Sequence, residues 1–204
     1  MEAIETIEQD GWTVSLYPDF DAGSPDEWDN LATFAHATDY TFGEPLGRRY
    51  DEDRREGALV RALSIFGDDV AAVLPVYIAE HGPQLSAWET DAENANAVLY
   101  TTHKRVTELC GEEPKYHSRE WVTESLRGEL ETWRQYLEGD VYGYVVKDPS
   151  GNETDDGSLW GLYGSEYAEQ EARAALDLEI AAHAERQAEI ARGWALAARA
   201  RMGS

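Results

Sequence analysis

The chain has a single cysteine, Cys110, in 204 residues, which excludes an internal disulfide framework. Lysine occurs only at Lys104, Lys115 and Lys147, and 17 basic residues in all stand against 41 acidic ones. No apolar run approaches the ~20 residues of a membrane-spanning helix. The opening MEAIETIEQDGW is acidic and polar, unlike a secretory signal. Neither glycine-rich phosphate-binding pattern is present. The five histidines, at 36, 81, 103, 117 and 183, have no close ligand spacing, so no metal and no cofactor is assigned. His103 and Cys110 suggest a thiolate pair, but no third orienting group is identifiable and a buried structural cysteine is expected. These absences describe a soluble intracellular protein without a recognisable catalytic signature.

What is present is acid. A net charge of −24 repels nucleic acid and anionic membrane and attracts basic surfaces, including those of proteins that handle DNA or RNA. Solubility, or adaptation to a high-salt cytoplasm, accounts for the same composition. Hydrophobic content of 42% with 11% aromatics is enough for a packed core, and one domain is expected.

The hairpin signal is the strongest local one. Val141–Val146 suits a pleated surface, Leu159–Tyr163 is a second apolar run, and KDPSGNETDDGS between them is rich in turn formers. That loop places Asp148, Ser150, Asn152, Thr154 and Asp156 at alternate positions. A calcium loop also needs glycine at its sixth place and glutamate at its twelfth, where Glu153 and Leu159 stand. Upstream, Trp12, Val14 and Leu16 alternate with polar residues as a half-buried strand. Pro25 is expected to open a short helix carrying Trp28, Leu31 and Phe34. Residues 38–57 read as loop and 58–66 as helix. Val73–Ile78 reads as a strand in which Pro75 suggests an edge or bulge. His81-Gly82 makes a turn, Leu85–Trp88 pairs back, and Ala97–Thr101 is a further strand. A helix follows over 102–110. Ser118 caps another with Trp121 at its third position, and Gly139 ends it. The last helix, from about Glu166 to Arg201, is alanine-rich and would span roughly 50 Å. Trp28 and Trp160 are expected in the core, with interface anchoring as the alternative.

SPDEWDNLATF, LPVYIAEHG, NAVLYTTHKRV, YLEGDVYGYVV and SLWGLYGSEYAEQEARAAL occur in that order over residues 12–176. Together they resemble a family of small proteins encoded by bacteriophages and other mobile elements. In that family the middle motif usually reads tyrosine-aspartate-histidine-serine-glycine. Here Glu80-His81-Gly82 stands without the serine, and Leu159 stands where a cysteine commonly precedes the tryptophan. The resemblance implies an accessory protein acting in the host cytoplasm and carries over no catalytic residue.

The expectation is therefore an α+β fold: a mostly antiparallel sheet with packed helices in a core of residues 1–164. A long helix over 165–204 joins that core or projects from it. The leading functional expectation is a non-enzymatic inhibitor of a host nucleic-acid-handling defence protein, acting as a DNA mimic without binding nucleic acid or membrane itself. Its acidic surface would comprise Asp19, Asp21, Asp26, Glu27, Asp29, Asp51, Glu52 and Asp53. The alternatives are a small-molecule-binding protein or enzyme with a cleft around Trp28, Asn30 and His81, or a structural homodimer joined through Ile190 and Trp194.

Overall fold

A computed structural model of the chain describes residues 1–36, 41–45, 67–82 and 84–202. The loop and helix expected over 38–66 lie largely outside the described residues, as do Asp51, Glu52 and Asp53. The strands in chain order are β1 (Glu5–Gln9), β2 (Trp12–Pro18), β3 (Thr33–His36), β4 (Glu44–Pro45), β5 (Val70–His81), β6 (Gln84–Glu89), β7 (Ala97–Thr102), β8 (Val141–Lys147) and β9 (Glu153–Tyr163). The described α-helices are α1 (His103–Cys110), α2 (Arg119–Glu138) and α3 (Ser165–Met202). This is the α+β class, with a long C-terminal helix. No helix among the described residues is long and apolar enough to cross a membrane.

The chain folds as two compact units, Met1–Asp21 with Val141–Ser204, and Ala22–Asp140. The expected core of residues 1–164 thus contains two hydrophobic clusters, and α3 begins inside one of them.

In the first unit four antiparallel strands run in the order β1-β2-β8-β9. The alternation of β2 does what its sequence implies: Trp12, Val14 and Leu16 are buried, while Thr13, Ser15 and Tyr17 are half-buried. The proximal part of α3 lies on this sheet through Ala168, Ala172 and Leu176, four residues apart. Two alanines let the helix axis come close to the strands. The β8–β9 hairpin is present, but its loop is shorter than expected because β9 begins at Glu153. Asp148 closes the loop locally, its carboxylate accepting from the N–H groups of Ser150 (2.8 Å) and Asn152 (2.9 Å). On the sheet face away from the core, Trp160 lies over Gly143, where a Cβ would come within 2.2 Å of the indole. Trp160 is stacked beside Tyr17 and remains 44% exposed, against the core placement expected for it.

In the second unit five strands run in the order β4-β3-β7-β5-β6, antiparallel except for the short β3–β4 pair. Helix α2 packs across β5, β6 and β7. Its Val122, Leu126, Leu130 and Trp133 are buried, each worth about 2 kcal/mol of removal from water. Ser118 Oγ accepts from Trp121 N–H (3.3 Å), and Gly139 ends the helix at φ +70°. Pro75 sits in an interior strand, not an edge. Its carbonyl accepts from Thr90 N–H just past the last β6 pair, Val76 with Glu89, so the missing proline donor falls where the β6 ladder has ended. The short helix expected around Trp28 is absent. Pro25–Glu27 makes one 3-10 turn, Trp28 is extended, and Phe34 belongs to β3.

Candidate functional site

Residues 28–32 cross from that turn to β3, bending at Leu31 and Ala32. Each backbone group named here is met by a side chain from another element. Leu31 and Ala32 N–H donate to the two carboxylate oxygens of Glu129 on α2, at 2.7 and 2.8 Å. The Asn30 carbonyl accepts from Arg105 Nε (3.0 Å) and Nη2 (2.8 Å) on α1. The Leu31 carbonyl accepts from the Thr101 hydroxyl of β7 (2.7 Å). Asn30 turns its own amide back onto the Pro25 carbonyl at 2.6 Å. Burial pushes the Glu129 carboxyl above its ordinary value, while the Ala32 and Leu31 N–H groups and the Arg105 guanidinium pull the other way.

Beside this crossing lies a cavity of about 330 Å³. Asp26, Trp28, Asn30, Gly43, Glu44 and Arg105 line it, together with the aromatic residues Phe34 and Trp133. Phe34 and Trp133 stack at 4.7 Å between centroids, and each is 2% exposed. Asp26 Oδ2 accepts from Gly43 N–H at 2.9 Å, and Glu44 Oε2 accepts from the Tyr100 hydroxyl at 3.3 Å. Burial, together with Glu44, pushes the Tyr100 phenol up to about 12, so it stays a proton donor.

Of the residues expected in a cleft, Trp28 and Asn30 are brought together at this cavity. Trp28 is 45% exposed, not in the core. His81 stands exposed at the end of β5 and does not line it. Arg105, Glu129 and Glu44 were not singled out in the sequence. Only Glu129 carried a signal: it falls three residues after Leu126 and four before Trp133, in phase with the buried face of α2. Arg105 looks like any helix-surface cation until the crossing it holds is in place.

The acidic residues are distributed between the units. Asp19 and Asp21 belong to the first; Asp26, Glu27 and Asp29 belong to the second. Three are already committed. Asp19 accepts from Gly161 N–H (3.0 Å) and Asp21 N–H (3.1 Å), Asp26 accepts from Gly43, and Asp29 lies 3.7 Å from Arg105. Cys110 packs against the core cluster of the second unit while His103 is exposed. Among the described residues no three metal-ligating side chains converge.

The distal part of α3 is a separate feature. From Ala184 to Arg199 every residue is exposed, with Ile190 at 53%, Trp194 at 74% and Leu196 at 67%. No family model, curated protein or solved structure matches the chain.

Proposed function

We propose that the protein is a non-enzymatic, acidic interaction protein that self-associates through the distal half of α3. The dimer would present its carboxylates to the basic surface of a nucleic-acid-handling protein. The observation that carries this reading is the phase of the exposed apolar residues. Ile190 and Trp194 each lie five helical turns beyond a buried residue, Ala172 and Leu176 respectively. The stripe that seats α3 on its own sheet therefore continues past the sheet and stands exposed among the described residues, as a helix surface made for a partner does.

Charge favours an antiparallel pair. The segment 185–204 carries four arginines and two glutamates, whereas the rest of the chain is strongly acidic. A crossing that sets Ile190 on Trp194 of a second copy brings Arg199 of each helix level with Glu185 of the other. A parallel pair would set Arg199 beside Arg199. Arg192, at the centre of the antiparallel crossing, points away from the contact, two residues round from Ile190. Two-fold pairs are the commonest closed assemblies.

The partner's chemistry follows from the bulk charge. The first unit carries 17 acidic and 6 basic residues, net −11, and the second 24 and 11, net −13. Both units would be drawn to a basic surface. A host defence protein met in the cytoplasm by an accessory protein of a mobile element is the setting the family resemblance implies. The commitments of Asp19, Asp26 and Asp29 favour a general electrostatic match over a phosphate-spaced mimic built on those residues.

Sedimentation equilibrium of the full chain and of residues 1–189 tests the assembly. The full chain should be dimeric and the truncated chain a folded monomer. A monomeric full chain, or a dimeric truncated one, would remove the helix from the argument.

A further inference from the structure

We infer that Gly193 is a seat for the Trp194 indole of a second copy, and that this fit fixes the register of the antiparallel helix pair. The inference deepens the proposed self-association and rests on that reading.

Nothing among the described residues accounts for Gly193. It lies inside α3, so it caps nothing, and its φ is not in the left-handed region that favours glycine. A Cβ added there meets nothing within 4 Å outside its immediate helix neighbours. Yet glycine disfavours a helix interior about fivefold relative to alanine. Alanine fills the surrounding positions 188, 191, 195, 197 and 198. The distal half has no packing of its own to offset that loss.

Gly128 of α2 is equally open, so a helical glycine alone carries no inference. The two differ in their surroundings. Gly128 lies between Arg127, paired with Glu89, and Glu129, which holds Leu31. Gly193 stands three residues after Ile190 and next to Trp194, which are 53% and 74% exposed, and it shares their side of the helix.

The proposed crossing sets Ile190 on Trp194, and hence Gly193 opposite Ala191 of the second copy. A helical tryptophan leans back over the turn before its own Cα. Trp194 of the second copy then lies over its own Ala191 and faces Gly193. By the two-fold, each indole meets one glycine. A parallel pair in register sets Trp194 beside Trp194 and leaves both glycines unused. The same chain already seats one tryptophan in this way: Trp160 lies on Gly143, where a Cβ would come within 2.2 Å of the indole.

Sedimentation equilibrium of the full chain compares wild type with Gly193→Ala. Alanine raises helix propensity, so the helical circular-dichroism signal of the variant should equal or exceed that of wild type. Its dimer should nevertheless dissociate about tenfold more readily, because the added methyl overfills the seat, and Gly193→Leu should weaken it about a hundredfold. Gly128→Ala, the same exchange in α2, should leave association unchanged. In a Trp194→Leu background, which keeps an apolar contact but removes the indole, Gly193→Ala should carry no penalty. A monomeric wild type would remove the self-association and this inference with it. A dimeric wild type whose Gly193→Ala variant associates as tightly would overturn the seat alone, as would an equal penalty in the Trp194→Leu background.

Discussion

Helix α2 has 20 residues and buries Val122, Leu126, Leu130 and Trp133 along its length. Helix α3 has 38 residues, and its fully buried positions are Ala168, Ala172 and Leu176, all within its first twelve residues. The shorter helix is held by side-chain volume and by a cap at each end. The longer one is held at its start, by close approach of alanines to a sheet. Its outer half relies on alanine propensity and on the complement of arginines near a helix C-terminus. Most helix stability in proteins comes from packing of one face, which this half lacks within its own chain among the described residues. The difference separates two uses of a helix: α2 closes a core and positions a site, whereas α3 starts in a core and leaves it.

Removing the anchor of α2 should produce the largest effect. Trp133→Ala is expected to cost about 4 kcal/mol of folding stability in urea denaturation, since Trp133 is buried and stacked on Phe34. It would also remove part of the cavity lining. A loss below about 1 kcal/mol would mean that the α2 core repacks with ease and that the contrast with α3 is overstated.

Glu129→Gln is the intermediate case. A glutamine cannot accept from both Leu31 and Ala32 N–H, and its amide hydrogens would face one of them, at a cost of about 2 kcal/mol near neutral pH. The pH dependence has a definite sign. With its folded value raised by burial, Glu129 binds its proton more tightly in the folded state than in the unfolded one. Its contribution is then fully present below the ordinary carboxylate range and is lost as pH rises through the raised value. The stability gap between wild type and variant should therefore widen on acidification through that window. A gap that narrows would show that the backbone hydrogen bonds outweigh burial.

Trp194→Ala should have the smallest effect on the stability of a single chain, within about 0.5 kcal/mol, because Trp194 is 74% exposed. The proposed dimer predicts that, at high protein concentration, the same substitution lowers the apparent melting temperature by removing the linkage to assembly. Equal melting temperatures for the two proteins across a hundredfold dilution series would leave Trp194 without a partner.

The elements read correctly from sequence share one property: their signals are local. Ser118 and Gly139 bound α2 because caps act within a turn, and β2 alternates because its two faces differ. The Trp28 to Phe34 segment was misread for the complementary reason. Three apolar residues spaced by three resemble a helix over seven positions, and Pro25 does start a turn. Pairing of Thr33–His36 with β7 turns the end of that segment into a strand. Trp160 was misplaced because its position depends on a glycine in the neighbouring strand, Gly143, on which the indole lies.

The sequence by itself determined the α+β class, the limits of α2, the β8–β9 hairpin and the long alanine-rich helix, since propensity, periodicity and capping are properties of neighbouring residues. Tertiary structure alone decided that the core is two clusters, that α3 is uncovered from Ala184 to Arg199, and that Trp28 and Asn30 border a cavity without His81. Those outcomes rest on partners distant in the chain. Glu129 holds Leu31 from 98 residues away, and no local pattern at either position specifies the other.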